Sequence, residues 1–191
     1  MGKLDQKLRK DVRPLQQKLR RKVLTPTQVG GKTDPTFPTI YDVSLSGEYP
    51  SVPPWSVDDS ETVTFDADSP DGIHNSMDIT VTTNYFDVSL ELPATVNCST
   101  FPTVSFWFKG QDTGSTITFV LYSNAANAAY TFIDSSTSWS AIHIPESSFT
   151  ITGSINWAAI GEIEMWIPSG AASAGQIFKL SYVRNNIGAY G

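Results

Sequence analysis

The sequence predicts an all-β domain, a sandwich or barrel of antiparallel strands, preceded by a basic helix and an extended arm. From about residue 58 onward, short runs rich in Val, Ile, Thr and aromatic residues alternate with period two, as in STITFVLYS and EIEMWIP. Turn sequences such as DSPDG, GQDTG and PSGAASAG separate these runs. Charged residues make up only 17% of the chain, which is typical of extracellular or virion β-domains rather than helical enzymes.

The first 24 residues predict a basic amphipathic helix. The phrase KLDQKLRKDV at residues 3–12 is nearly repeated as PLQQKLRRKV at residues 14–23. On a helix the apolar residues fall within an arc of about 100°, and most Lys and Arg lie opposite. Pro14 favours a kink there, or a second helix that begins at Pro14. The apolar stripe consists of Leu4, Leu8, Val12, Leu15, Leu19 and Val23.

Residues 25–57 predict an extended strap between this helix and a β-domain at residues 58–191. Six of the twelve prolines lie in the strap, with Gly30 and Gly31 among them. Proline-rich chain favours extended conformations without a packed core. The strap therefore separates the helix from the β-domain. Its run TIYDVSL is a candidate strand, which we expect to pair with the sheet of a neighbouring molecule.

The charge is divided between the two ends of the chain. Residues 1–32 hold ten Lys or Arg and two Asp, a balance of +8, whereas residues 33–191 have a balance of −14. Such asymmetry indicates a basic arm that binds an acidic partner. No stretch is apolar for long enough to cross a membrane, and no apolar run follows the basic start as in a secretory signal. The single Cys98 excludes an internal disulfide.

The second half of the chain carries a spaced pattern of aromatic and aliphatic residues. It reads VSFWFKG, TSWSAIHIPESSF, INWAAIGEIEMWIP and GQIFKLSYVR between about residues 100 and 185. The pattern positions are Trp139, Ile142, Ile144, Pro145, Phe149, Trp157, Ile160, Ile163, Met165 and Ile167. This pattern resembles that of the jelly-roll carbohydrate-binding modules of the galactose-binding-like sandwich group. The resemblance implies an antiparallel jelly-roll β-sandwich and speaks to fold more than to activity.

The chain departs from that family at a metal position. Such modules often carry an Asp on the closing strand that holds a structural calcium, whereas this chain has Tyr182, Val183 and Arg184 there. Asp66, Asp68 and Asp71 in FDADSPDG offer oxygen ligands at short spacing, but we interpret this run as an acidic hairpin turn. We therefore expect no metal and no other cofactor.

Alternation along three strands predicts a platform on the outer surface. Alternation places Phe106, Phe119 and Met165 on the inner face of their strands. The residues two positions before and after each of them share that face. The outward residues are Trp107, Lys109, Tyr122, Glu164 and Trp166. Aromatic rings flanked by charged groups suit sugars, whose apolar face stacks while hydroxyls find polar partners. Outward aromatics also pack against a strap, a second subunit or a second layer of the sandwich, and we favour a protein interface over a glycan platform for them.

No catalytic motif is found. His74 and His143 are the only histidines, and neither has zinc-ligand spacing. Glu162 and Glu164 lie two apart on one predicted strand, which is a weak signal for paired-carboxylate chemistry. Asn97 begins an N-glycosylation sequon, which has meaning only in a secreted eukaryotic protein. We expect no enzymatic activity.

These observations together predict a non-enzymatic virion protein of a bacteriophage: a decoration, head-fibre or tail-associated protein. The helix would attach it to other virion proteins and to copies of itself, and the sandwich would contact host-surface glycans. One alternative is a small viral capsid protein whose basic arm binds the genome, since basic arms neutralise phosphates. The other alternative is a free carbohydrate-binding module or a small sugar-active enzyme.

Overall fold

The computed structural model describes residues 39–41, 55–57, 60–70 and 76–186. Within these ranges nearly all regular structure is β-strand, so the all-β prediction is confirmed. The strands are β1 (Thr39–Tyr41), β2 (Trp55–Val57), β3 (Glu61–Asp66), β4 (Ser76–Val81), β5 (Phe86–Val96), β6 (Thr103–Lys109), β7 (Thr116–Ser123), β8 (Ala126–Ile133), β9 (Trp139–Pro145), β10 (Thr150–Thr152), β11 (Ile160–Ile167) and β12 (Ile177–Asn186). Short 3₁₀ turns occur at Glu146–Ser148 and Trp157–Ala159.

The strands form two antiparallel sheets. The sheet that we call the front sheet has the order β10-β8-β7-β11-β5-β2. The back sheet has the order β3-β4-β12-β6-β9, and β1 also pairs with β12. Some neighbouring strands are consecutive in sequence, as β3–β4 and β7–β8 are, whereas the β11–β7 and β12–β6 pairs join distant parts of the chain. Such crossed connections are those of a sandwich.

Two segments of the predicted strap belong to the sheets. Thr39–Tyr41, within the run TIYDVSL, pairs with β12 of the same chain, and Trp55–Val57 pairs with β5. The basic helix predicted for residues 1–24, with its apolar stripe, lies outside the described residues, as does most of the strap. Within the described part of the chain, no helix is long and apolar enough to cross a membrane.

The core lies between the sheets and is built from the inward residues of the alternating strands. On β6, Val104, Phe106 and Phe108 are buried, as predicted. The rings of Phe106 and Phe119 approach to 4.6 Å between centroids and join the two sheets. Burying such a side chain contributes about 1.5–3 kcal/mol to the free energy of folding, and many such side chains together stabilise the sandwich. The inward sets on β7 and β11 are also buried: Ile117, Phe119, Leu121, Ile163, Met165 and Ile167.

Candidate functional site

The five predicted platform residues lie on two opposite faces of the sandwich. Trp107 and Lys109 are on β6 in the back sheet. Tyr122, Glu164 and Trp166 are on β7 and β11 in the front sheet. The prediction that all five share one surface is therefore wrong. Alternation tells which side chains point out of a strand, but it does not tell to which sheet the strand belongs.

The three front-sheet residues are brought together by strand pairing. β7 and β11 are neighbours, with Glu164 opposite Val120 and Trp166 opposite Thr118. Tyr122 lies diagonally from Glu164, and its phenol donates a hydrogen bond of 2.5 Å to the Glu164 Oε2 atom. Burial raises the pKa of Tyr122, and the hydrogen bond and charge of Glu164 raise it further. The phenol is therefore neutral and fixed in orientation.

Trp166 extends this surface along β11. It lies two residues from Glu164 on the same face, a separation of about 6.5–7 Å along a strand. Its cross-strand neighbours are Thr118 on β7 and Asp87 on β5. Thr118 is only 5% exposed although it points outward, so larger neighbours cover it. Trp166 itself is half-buried and leaves part of its indole open to solvent.

The front face is rich in hydrogen-bond acceptors. Asp87 and Glu91 on β5 lie opposite Trp166 and Glu162 on β11, and all four point outward with Glu164. The described strands of the front sheet contain no Lys or Arg. Carboxylates at neutral pH only accept hydrogen bonds, so this surface suits a ligand that donates them.

Sequence reasoning missed the part of this surface that β5 provides. Alternation in FDVSLEL would have marked Asp87, Ser89 and Glu91 as outward. That β5 lies beside β11 depends on the pairing of strands some 70 residues apart, and no local signal gives it. Asn127 on β8, opposite Tyr122, was missed for the same reason.

The back face is dominated by an ion-pair network. Lys109 Nζ lies 2.7 Å from Asp68 Oδ2, and Lys179 Nζ lies 2.8 Å from Asp66 Oδ2 and 2.9 Å from Asp78 Oδ2. The indole of Trp139 donates to Asp68 Oδ1 at 3.2 Å. Lys109 is thus engaged by a carboxylate of its own chain.

Several residues considered for metal or acid–base chemistry are also located. Asp66 and Asp68 of the run FDADSPDG bind lysines, whereas Asp71 and His74 lie outside the described residues. Across the described ranges, no group of three or more His, Cys, Asp or Glu side chains is arranged to hold a metal ion. His143 Nδ1 lies 2.8 Å from Ser105 Oγ on the outer side of the back sheet.

Comparison with solved structures identifies the fold. No family model and no curated sequence matches the chain. Among solved structures, it is similar to a family 11 carbohydrate-binding module from Clostridium thermocellum, in complex with a beta-1,3-1,4-mixed-linked tetrasaccharide. The TM-score is 0.58 at 17% identity, over 83% of this chain and 100% of the module. The chain has the jelly-roll fold of these modules.

Two further structures extend the comparison. A family 30 carbohydrate-binding module aligns with a TM-score of 0.53 at 12% identity, over 68% of this chain and 77% of the module. An exo-beta-agarase aligns with a TM-score of 0.58 at 8% identity, over 76% of this chain but only 25% of the agarase. The same sandwich thus occurs as one part of a larger enzyme chain. The sequence resemblance to carbohydrate-binding modules is confirmed at the level of fold.

Proposed function

We propose that this chain binds a glycan on the outer face of the front sheet and does not alter it chemically. The observation that carries the proposal is the Tyr122–Glu164 hydrogen bond beside the partly open indole of Trp166. A sugar ring has an apolar face and a rim of hydroxyls, and it needs an aromatic surface next to fixed polar groups. The front face offers both, about 6.5–7 Å apart along β11.

The charge of the front face supports a hydroxyl-rich ligand. Glu162, Glu164 and Asp87 accept hydrogen bonds, and sugar hydroxyls donate them. A phosphate or sulfate group would instead be repelled, since the described front-sheet strands carry carboxylates without a Lys or Arg. Structures of the same fold, among them the module in complex with a beta-1,3-1,4-mixed-linked tetrasaccharide, support the same class of ligand.

The arrangement of the carboxylates supports binding rather than hydrolysis. Glycosidases place two carboxyl groups on either side of the scissile bond, one of them free to move a proton. Glu162 and Glu164 instead project side by side from β11, and the phenol of Tyr122 donates to Glu164. We therefore propose a role in adhesion to glycans.

The test is a glycan-array screen of the full chain, followed by calorimetry with the ligands found and with the beta-1,3-1,4-mixed-linked tetrasaccharide. Trp166→Ala should weaken binding at this face by about ten- to a hundredfold, because it removes the stacking surface there. Ile133→Ala is the matched control, since Ile133 is an exposed apolar residue at the edge of the same face. Binding that keeps both its affinity and its stoichiometry in Trp166→Ala, or no binding by the wild-type chain, contradicts the proposal.

We further propose that the sandwich is displayed on a bacteriophage particle and that residues 1–24 attach it to virion proteins and to other copies. The support is the basic repeat with its apolar stripe, and the division of charge between +8 and −14. Light scattering of the full chain tests the self-association, with Leu8→Asp and Leu15→Asp expected to give a monomer. Salt-dependent binding to DNA or RNA would instead favour the genome-binding alternative.

A further inference from the structure

Trp107 is exposed on β6, the strand next to the edge strand β9 of the back sheet, on the face opposite the proposed site. It is 38% exposed, although β6 has a paired strand on each side. Its cross-strand neighbours are Ser181 on β12 and Ala141 on β9, both too small to cover an indole. A large aromatic surface left open among small neighbours is a feature of recognition sites.

We propose that Trp107 is the stacking platform of a second glycan-binding site, independent of the front-sheet site. The two sites would lie on opposite faces of the sandwich. One chain could then hold two glycan strands at once, and the protein would cross-link a polysaccharide rather than only coat it.

The polar groups around Trp107 fit a sugar. Ser105 lies two residues before Trp107 on the same face of β6, and its hydroxyl oxygen is 2.8 Å from His143 Nδ1. Lys109 lies two residues after Trp107 on the same face, and its Nζ atom is 2.7 Å from Asp68 Oδ2. Each of these positions is about 6.5–7 Å from Trp107 along the strand, so a sugar stacked on the indole would extend toward His143 on one side or Lys109 on the other. Ser105 itself is buried, so ligand hydroxyls would meet the half-buried His143 ring and the Lys109–Asp68 pair.

The size and charge of the exposed patch argue against a protein partner. A stable protein interface covers about 800 Å² on each side and has several apolar anchors. On the described back-sheet strands, the exposed large apolar residues are Trp107 and Ile177. Ile177 is four residues along β12 from Ser181, the neighbour of Trp107, which is about 13 Å. One isolated ring in a polar setting matches the apolar face of one sugar.

The charge of this face is also balanced. Lys109 and Lys179 are matched by Asp66, Asp68 and Asp78 in direct ion pairs, with Arg184 as a further cation. A strongly charged partner would find no excess of either sign there. A neutral, hydroxyl-rich ligand does not need one.

The test compares single and double variants of the full chain on the same glycan array, with calorimetric stoichiometry for the best ligand and for the beta-1,3-1,4-mixed-linked tetrasaccharide. We expect two sites per chain. Trp166→Ala should leave one of them, and adding Trp107→Ala should remove the other, with at least a tenfold loss of affinity. Trp107→Phe should keep most of the binding because a ring remains, and Ile177→Ala should have no effect.

The two proposals fail in different ways. If Trp166→Ala abolishes all binding and Trp107→Ala changes nothing, the second site does not exist and the front-sheet site stands. If Trp107→Ala alone abolishes binding, the front-sheet proposal is wrong and the back-sheet site stands. If no glycan binds the wild-type chain, both are overturned. If Trp107→Ala lowers the mass measured by light scattering without altering glycan binding, Trp107 lies in a contact between copies and the second site is overturned.

Discussion

The phenol of Tyr122 donates a hydrogen bond of 2.5 Å to Oε2 of Glu164 across two paired strands of the front sheet. Burial, and then the hydrogen bond and charge of Glu164, raise the pKa of Tyr122, with smaller contributions from Glu162 and Asp87. The phenol proton is therefore directed at the carboxylate. The phenol lone pairs and the second carboxylate oxygen are left to accept hydrogen bonds from a ligand.

Glu164→Gln should lower the pKa of Tyr122 toward its ordinary value of about 10. The substitution removes a negative charge that disfavours the phenolate, whereas the burial that also raises the pKa remains. Titration of tyrosinate absorbance measures the change, and Tyr122→Phe identifies which step belongs to Tyr122. An unchanged alkaline titration in Glu164→Gln would mean that the two groups are not coupled in solution. Sugar affinity should also fall, since the pair is no longer held in one orientation.

Lys179→Met should destabilise the fold far more than Lys109→Met. Burial alone would lower the pKa of Lys179, but its hydrogen bonds to Asp66 and Asp78 outweigh burial and raise it. The Lys179 and Asp78 side chains are 11% and 9% exposed, and loss of one partner from a buried pair costs about 3–5 kcal/mol. The Lys109 side chain is 30% exposed, so its loss should cost about 1 kcal/mol or less.

Urea unfolding of the two variants measures this difference. The two substitutions remove the same charge from neighbouring positions of one face, so each serves as the control for the other. Equal losses in the free energy of unfolding would show that the Lys179 pair is solvated like the Lys109 pair.

Asp68→Asn should destabilise the protein at neutral pH but not in acid. The hydrogen bond from Lys109, the largest cause, lowers the pKa of Asp68 to about 2. A carboxylate with a depressed pKa stabilises the fold above its unfolded value of about 4, and this contribution is lost as the pH falls toward 2. The melting-temperature gap between wild type and variant should therefore be constant near neutral pH and should close between about pH 4 and pH 2.

Salt provides a second check on Asp68. Its side chain is 39% exposed, so the gap should be modest and should shrink as ionic strength rises. Asp112→Asn, at an exposed aspartate after β6, is the charge-matched control. A gap that stays constant down to pH 2 would contradict the depressed pKa.

The inward and outward faces of the strands could be predicted from sequence, because alternation is a local property. Phe106 and Trp107 are adjacent in sequence, and the structure buries the first and exposes the second as expected. The partners of those faces could not be predicted. Asp68 binds Lys109 from 41 residues away, and Asp66 binds Lys179 from 113 residues away. Strand order brings these pairs together, and a single sequence carries no local signal for strand order.

One structural carboxylate gave no sequence signal at all. Asp134 is 1% exposed and accepts hydrogen bonds from the backbone N–H groups of Gln111, Asp112 and Thr113, and from the Thr113 hydroxyl at 2.8 Å. It holds the turn between β6 and β7. In the sequence it is one acidic residue before a Ser-rich loop, because its partners lie some 20 residues earlier in the chain.

Gly110→Ala should destabilise the protein through a clash with this carboxylate. A Cβ atom at Gly110 would lie 1.7 Å from Asp134 Oδ1, so the side chain must leave its amide partners or the turn must shift. Overpacking of this kind costs about 1–3 kcal/mol. Asp134→Ala should cost about the same or more, because it leaves buried N–H groups without an acceptor.

The two substitutions should therefore be strongly non-additive. In the Asp134→Ala background the clashing oxygen is gone, so adding Gly110→Ala should cost much less than it does in the wild type. Urea unfolding of the four proteins gives the coupling energy directly. Strict additivity would show that alanine at position 110 is destabilising for a reason unrelated to Asp134, such as its contact with Phe108 at 3.1 Å.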